Sequence, residues 1–312
     1  MRKISWFFVF ILPFSLFSED TGGMAGFEFL RSDMGARPGA MGGAFIAVPG
    51  DLQGTAYNPA NIVGIENRTV VASYTDHILD FNQGFIGYAQ NVAQAGIFGV
   101  GVSYMSYGEF IRTDPEGNEN GTFHPSDLLL AVTYGDRPIE NLSYGVSAKY
   151  IRSQIDGYTS SALAADLGLI FSIPKEQLDL ALAFLNLGKS VDAFVEDHES
   201  LPMAVRLGFG KRLAHLPLLL NFHFLRYSDL ESDLFWGLYW ALGGEFTISE
   251  KLFLRLGYNS RGSEQKTDSN SDRFAGISIG LGLIFSKYHI DYARSSQGII
   301  GSLNQFSLSM TF

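Results

Sequence analysis

The sequence predicts an all-β protein: a transmembrane, antiparallel, up-and-down β-barrel of about fourteen strands, preceded by a plug-like N-terminal segment. Three observations carry this. Long stretches alternate apolar and polar side chains, as strands with one greasy and one wet face do. The connections between them take turns at being short and long, as in outer-membrane barrels with short periplasmic turns and longer external loops. No run after Phe17 reaches the roughly 18 apolar residues of a membrane helix, so a chain of this kind spans a bilayer only as a closed barrel. Composition agrees, with 35 Gly, 26 Phe, 14 Tyr and 10 Pro favouring strands and turns.

The elements follow in order. Residues 1–18 place Arg2 and Lys3 before an apolar run from Ile4 to Phe17, the layout of a secretory signal peptide. Residues 19–66 form an N-terminal periplasmic or luminal segment. Its part from Gly39 to Ile62 carries Met41, Phe45, Ile46, Val48, Leu52, Tyr57 and Ile62 with Asp51 as its only charge, too apolar for a disordered linker. It must bury those side chains, and the periplasmic mouth of a barrel is the nearest shelter. Within it Gly42 and Gly43 precede a strand-like run, Ala44 to Val48, and Asp51 to Ile62 read as a turn and brief helix bounded by Pro59. Gly42, Gly43, Asn58, Pro59 and Ala60 are the plug or gate candidates.

Residues 67–312 form the barrel. Strands are expected near 67–76, 83–92, 95–106, 126–136, 141–152, 160–172, 177–187, 201–213, 216–227, 234–248, 251–260, 273–285, 287–295 and 303–312, most of them near the 9–11 residues that a tilted membrane strand needs. Tyr107–Pro125, Gly188–Ser200 and Arg261–Asp272 are the long polar connections. The expected lipid face carries Leu178, Leu180, Leu182, Phe184, Leu218, Leu220, Phe222, Phe224, Leu252, Leu254 and Leu256, with Trp236, Tyr258, Tyr288 and Tyr292 at interfacial heights. In 273–285, Ala275 is expected to point outward with Ile277, Ile279, Leu281, Leu283 and Phe285. The opposite face collects the lumen candidates Lys149, Asp166, Asp179, Arg206, Arg212, His223, Glu245, Arg255, His289 and Asp291. Their mixed signs suggest internal pairing rather than a single-sign ion filter. The last strand puts Phe306, Leu308, Met310 and Phe312 on one face, and this aromatic terminus resembles the signal read by the barrel-assembly machinery.

Other chemistries find little footing. With 22 basic and 32 acidic residues, the net charge of −10 excludes sequence-independent nucleic-acid binding. The absence of cysteine excludes disulfides and thiolate sites. Gly188-Lys189-Ser190 lacks the glycine of a phosphate-binding loop five residues earlier, where Ala183 stands. The pairs Gly99/Gly101, Gly208/Gly210 and Gly280/Gly282 follow strand period, as small wall residues facing a lumen do. The acidic run Glu196 to Ser200 reads as a solvated loop, and the 6 histidines show no metal-ligand spacing. Neither a catalytic set nor a cofactor or metal site is expected, and the default reading is a protein that is not an enzyme.

The stretch from Gly26 to Ile62, with its Asn58-Pro59-Ala60 element, resembles the N-terminal signature of PorV/PorQ-type outer-membrane proteins, relatives of the FadL long-chain fatty-acid transporters in the FadL-like β-barrel superfamily. The resemblance covers residues 26–64 and implies a fourteen-stranded barrel with the N-terminal segment in or under the lumen. It implies two functions. One is a PorV/PorQ-type partner in protein secretion and surface assembly, of type IX kind, meeting secretion-system components or exported proteins. The other is a FadL-like conduit for hydrophobic small molecules. The polar, glycine-rich lumen face shows no continuous apolar track and tilts the expectation towards the first. A general porin ranks last, since open pores usually use 16–18 strands. For Asn58-Pro59-Ala60, a turn-and-cap device stands beside direct ligand contact.

Overall fold

The computed structural model describes residues 26–195, 198–228, 237–263 and 270–312. The expected signal peptide at 1–18 and Trp236 lie outside the described residues.

Strands β1 (Thr69–Asp76), β2 (Asn82–Val92), β3 (Gly96–Ser106), β6 (Ser126–Ile139), β7 (Leu142–Ile155), β8 (Tyr158–Ile173), β9 (Leu178–Asp192) and β10 (Ala204–Arg212) make the first part of the wall. Strands β11 (Leu218–Tyr227), β12 (Leu238–Ser249), β13 (Leu252–Asn259), β14 (Ile277–Phe285), β15 (Tyr288–Ser296) and β16 (Ser302–Thr311) complete it. These 14 strands pair antiparallel, each with its neighbours in the chain, and β1 closes on β16 from Thr69↔Thr311 to Asp76↔Asn304. Closure leaves no strand edge unpaired, the condition for a sheet in hydrocarbon.

The sequence puts no strand between β3 and β6. The structure has a separate hairpin there, β4 (Phe110–Thr113) with β5 (Glu119–Phe123), stacked through Phe110 and Phe123. Residues 273–276 are not strand: Gly276 turns the chain at φ 85°, and Ala275 is buried rather than outward. The expected loop from Gly188 begins later, because β9 runs on to Asp192.

Outward positions form an apolar belt that includes Ile86, Val100, Val102, Leu163, Leu169, Leu207, Leu281, Ile290, Phe306 and Leu308, all exposed to the surroundings. A belt of this kind is what the outer face of a membrane barrel carries. Strand β9 changes phase within its length. Leu180, Leu182 and Phe184 lean outward, and then Asn186, with φ 57°, forms a bulge opposite Asp166. Beyond it Leu187 and Lys189 point out. One extra residue swaps the two faces, which strict period-two reading cannot anticipate.

The N-terminal segment lies inside this ring. Its regular pieces are short: 3-10 turns at Glu28–Arg31, Gln53–Ala56 and Pro59–Ile62, and helix α1 (Ala36–Ala40). Phe27 and Phe29 pack with Met105, Leu129, Ile151 and Leu201 near the long loops. Ile62, Val63 and Ile65 pack with Val71, Ala89 and Ile97 towards the short turns. The segment therefore runs the height of the wall, further than the periplasmic mouth where the sequence places it. Ala44–Val48 is irregular, not a strand.

Candidate functional site

The inner wall is shaped to receive the segment. Nine inward glycines, Gly87, Gly99, Gly135, Gly145, Gly168, Gly210, Gly243, Gly257 and Gly280, stand where an added Cβ would collide with it. At Gly210 that Cβ would come within 2.5 Å of the Ala47 carbonyl oxygen, and at Gly243 within 2.5 Å of the Met41 carbonyl oxygen. Met41, Phe45, Ile46 and Ile62 are fully buried there. Gly42 (φ 64°) and Gly43 (φ 72°) take the left-handed turn that brings the chain against Tyr258 and Asp33, a conformation that side-chained residues resist.

Side-chain amides satisfy the irregular backbone. The Asn58 amide donates to the Ile46 carbonyl (2.9 Å), and its oxygen accepts from the Ala60 N–H (3.0 Å). Asn61 donates to the Phe45 carbonyl (2.8 Å) and accepts from the Val48 N–H (2.9 Å). Asn221 of β11 donates to the Ala47 carbonyl (3.0 Å) and accepts from the Ile46 N–H (3.2 Å). Asn58 thus caps the 3-10 turn that Pro59 begins, and Asn58, Pro59 and Ala60 are all buried. These contacts are structural, made to the protein's own backbone.

A charge ladder ties segment to wall. Arg37 of α1 grips Glu245 of β12 with two nitrogens, both at 2.8 Å, and reaches Asp51 at 2.9 Å. Glu245 also accepts from Arg255 of β13 (2.6 Å), whose guanidinium holds Asp291 of β15 (2.6 Å). His289 stands 3.6 Å from Asp291. Burial works against the Arg37 charge, but the carboxylates of Glu245 and Asp51 outweigh it and hold the guanidinium above its ordinary pKa. Such forked pairs are geometrically specific. A second cluster sits at the β9 bulge: Lys149 bonds Asp166 (2.6 Å) and the Asn186 side-chain oxygen (2.9 Å), while the Asn186 N–H donates to Asp166 (2.8 Å).

Above the segment, at the loop end, a cavity of about 230 Å³ remains. Arg31, Asp33, His77, Arg206, His223 and Arg261 form its polar lining; Leu225, Tyr227, Tyr239 and Leu303 form its apolar lining. Arg206 is 9% exposed and packs its guanidinium over the Tyr57 ring at 4.9 Å. The Tyr57 hydroxyl donates to Asp33 (2.9 Å). Burial pushes the Asp33 carboxyl up, and that hydrogen bond and the charge of Arg206 pull it back.

Of the lumen candidates, Lys149, Asp166, Arg206, His223, Glu245, Arg255 and Asp291 are buried within the ring. Asp179 is half-buried near the turn end, held by the Ser172 hydroxyl (2.5 Å), and Arg212 is exposed at the rim of the turns rather than in the lumen. Phe306, Leu308 and Phe312 are exposed on the outer face, and Met310 is half-exposed. Sequence reading missed Arg37, Asp51, Asn61, Asn221 and Arg261. Glu245 and Arg255 face each other across the β12–β13 hairpin only because the register shifts between Thr247 and Ser249, so counting back from the Ser249-Glu250 turn misses the pair by one residue. Among the described residues no cluster of three or more metal-ligating side chains occurs.

No family model matches the chain, and no curated protein matches it. Solved structures do. The Pseudomonas putida toluene transporter TodX superposes with TM-score 0.60 at 12% identity, covering 89% of this chain and 98% of that one. The CymD monoaromatic hydrocarbon channel gives 0.57 at 13% identity, over 90% and 98%. A Pseudomonas aeruginosa FadL homologue gives 0.53 at 13% identity, over 89% and 98%. At this identity the likeness concerns the fold, which is the closed barrel of those channels.

Proposed function

We propose that the chain is an outer-membrane channel for small molecules with an apolar body, entered from the loop end and gated by its N-terminal segment. The observation that carries this reading is the filled bore with a cavity above it: the segment runs through the ring, yet leaves about 230 Å³ of partly apolar space on the loop side. The apolar belt, the short-turn and long-loop asymmetry, and the fold shared with hydrocarbon channels support it.

This reverses the order of functions that the sequence favoured. The missing apolar track argued for a secretion partner, but the inward glycines that suggested it are covered by Met41, Ala47, Leu52 and Ile62. The PorV/PorQ-type reading now rests on the resemblance over residues 26–64, and there Asn58, Pro59 and Ala60 serve packing.

Deleting Gly39 to Ala60 tests the reading. The variant should assemble, raise single-channel conductance in planar bilayers and release the dependence of toluene passage on the wild-type gate. An assembled deletion variant with unchanged conductance and unchanged toluene passage into proteoliposomes would sink it. Co-purification of an exported protein with the intact chain, lost on deletion, would favour the secretion reading instead.

A further inference from the structure

Among the described residues, Arg37, Lys149, Arg206 and Arg255 carry positive charge into the interior, and three of these four are neutralised at close range. Arg37 has Glu245 and Asp51, Arg255 has Glu245 and Asp291, and Lys149 has Asp166. Arg206 breaks this pattern. It is 9% exposed, its Nε is buried without a hydrogen-bond partner, and among the described residues no carboxylate stands at ion-pair distance from it. It packs on the face of Tyr57, and the nearest carboxylate it acts on, Asp33, stays beyond ion-pair distance with the Tyr57 hydroxyl bonded to it. A buried guanidinium with no carboxylate in direct contact is costly, so a fold that pairs Arg37, Arg255 and Lys149 directly leaves this one without a salt bridge at a cost in stability.

The bare charge faces the loop-end cavity, and its neighbours repeat the pattern. His223, 2% exposed, lines the same space and has an unpartnered buried Nδ1. Arg261 also lines it; Nη1 donates to the Arg31 carbonyl (3.0 Å) and to the Tyr227 hydroxyl (3.3 Å), and among the described residues no carboxylate pairs with it. Asp33 is the one carboxylate among the described lining residues, and the Tyr57 hydroxyl and the Met34 backbone occupy that corner. In a chain of net charge −10, this pocket is locally positive.

We infer that the loop-end cavity binds the carboxylate of a compact organic acid, its oxygens on Arg206 and Arg261 beside His223, its apolar body against Leu225, Tyr227 and Leu303. A planar guanidinium fork matches a carboxylate in two-point geometry, and the aliphatic and phenol surfaces opposite supply the apolar contact. Size sets the compactness: about 230 Å³ falls below the roughly 300–1,000 Å³ of pockets that hold drug-sized ligands. The inference rests on the reading that small molecules enter the barrel from this end, and it adds a charged group to what they carry.

The test uses the full chain purified in detergent and titrated calorimetrically with benzoate, benzyl alcohol and inorganic phosphate. Benzoate should bind about tenfold or more tightly than benzyl alcohol, with an affinity that falls as salt rises. Arg206→Gln should bring benzoate down to the benzyl alcohol level, with heat-modifiable gel migration retained, and His223→Gln should give a smaller loss. Equal binding of benzoate and benzyl alcohol by the wild-type protein would overturn the inference without recourse to any variant. So would an assembled Arg206→Gln protein with wild-type affinity for benzoate, or phosphate binding as tight as benzoate. Toluene passage measured on the same preparations separates the two readings: passage without a benzoate preference removes this site alone, and a benzoate preference without passage removes the channel reading.

Discussion

Arg37 is where a short helix meets the wall, and its chemistry is that of a forked donor between two carboxylates. Arg37→Met leaves Glu245 with Arg255 but strips Asp51 of its ion-pair partner among the described residues; the loss should be about 1–3 kcal/mol, read as a lower midpoint of heat-modifiable migration. Arg37→Lys should recover only part of it, because an ammonium cannot fork. The Lys149 cluster is less forgiving. Asp166 is fully buried, so Lys149→Met should cost on the order of 3–5 kcal/mol, and adding Asp166→Asn should restore most of it. Asp33 sets a pH dependence. Its folded pKa is raised above 3.8, chiefly by burial, so its contribution to stability is fully present below 3.8 and is lost as pH rises through the folded value. Asp33→Asn should therefore melt above the wild-type protein at neutral pH, a gap that closes as pH falls towards 3.8. A gap that stays constant with pH would show that the carboxyl is ionised in both states.

At the scale of elements, the inward glycines make a sharp comparison. A Cβ at Gly257 of β13 would run into the Met41 backbone, whereas one at Gly84 of β2 meets nothing within 4 Å. Gly257→Val should displace the segment and raise conductance several-fold, while Gly84→Val should leave it unchanged in the same bilayers. Which parts of the elements were legible follows from their physics. The alternation in β7, from Ser143, Gly145, Ser147 and Lys149 inside to Val146, Ala148 and Tyr150 outside, is local and reads directly. The β4–β5 hairpin had a signal in Asp114-Pro115-Glu116-Gly117, hidden because its flanks do not alternate. The bulge at Asn186 was invisible because what creates it, the hydrogen bond to Asp166, is a contact between strands. Arg37 could not be matched to Glu245, because nothing in the chain states at what height the segment crosses the bore.

At the scale of the whole molecule, the ring must close. Its seam is β1 against β16, and Phe312 extends that seam through an N–H bond to the Arg68 carbonyl (2.9 Å) with its ring exposed outside. Deleting Phe312 should lower the amount of heat-modifiable barrel in outer-membrane fractions strongly, and Thr311→Ala should not; equal losses would deny the ring a special part in assembly. The nine glycines carry a last consequence. Glycine weakens a strand by roughly 0.5–1 kcal/mol relative to alanine, so the wall gives up intrinsic stability at each notch and regains it only through the segment seated there. Wall and filling are therefore cut to one another like the two halves of a joint, and they are not interchangeable parts: a chimera that receives the N-terminal segment of another fourteen-stranded barrel, without the matching pattern of notches, inherits the losses of both halves and the fit of neither.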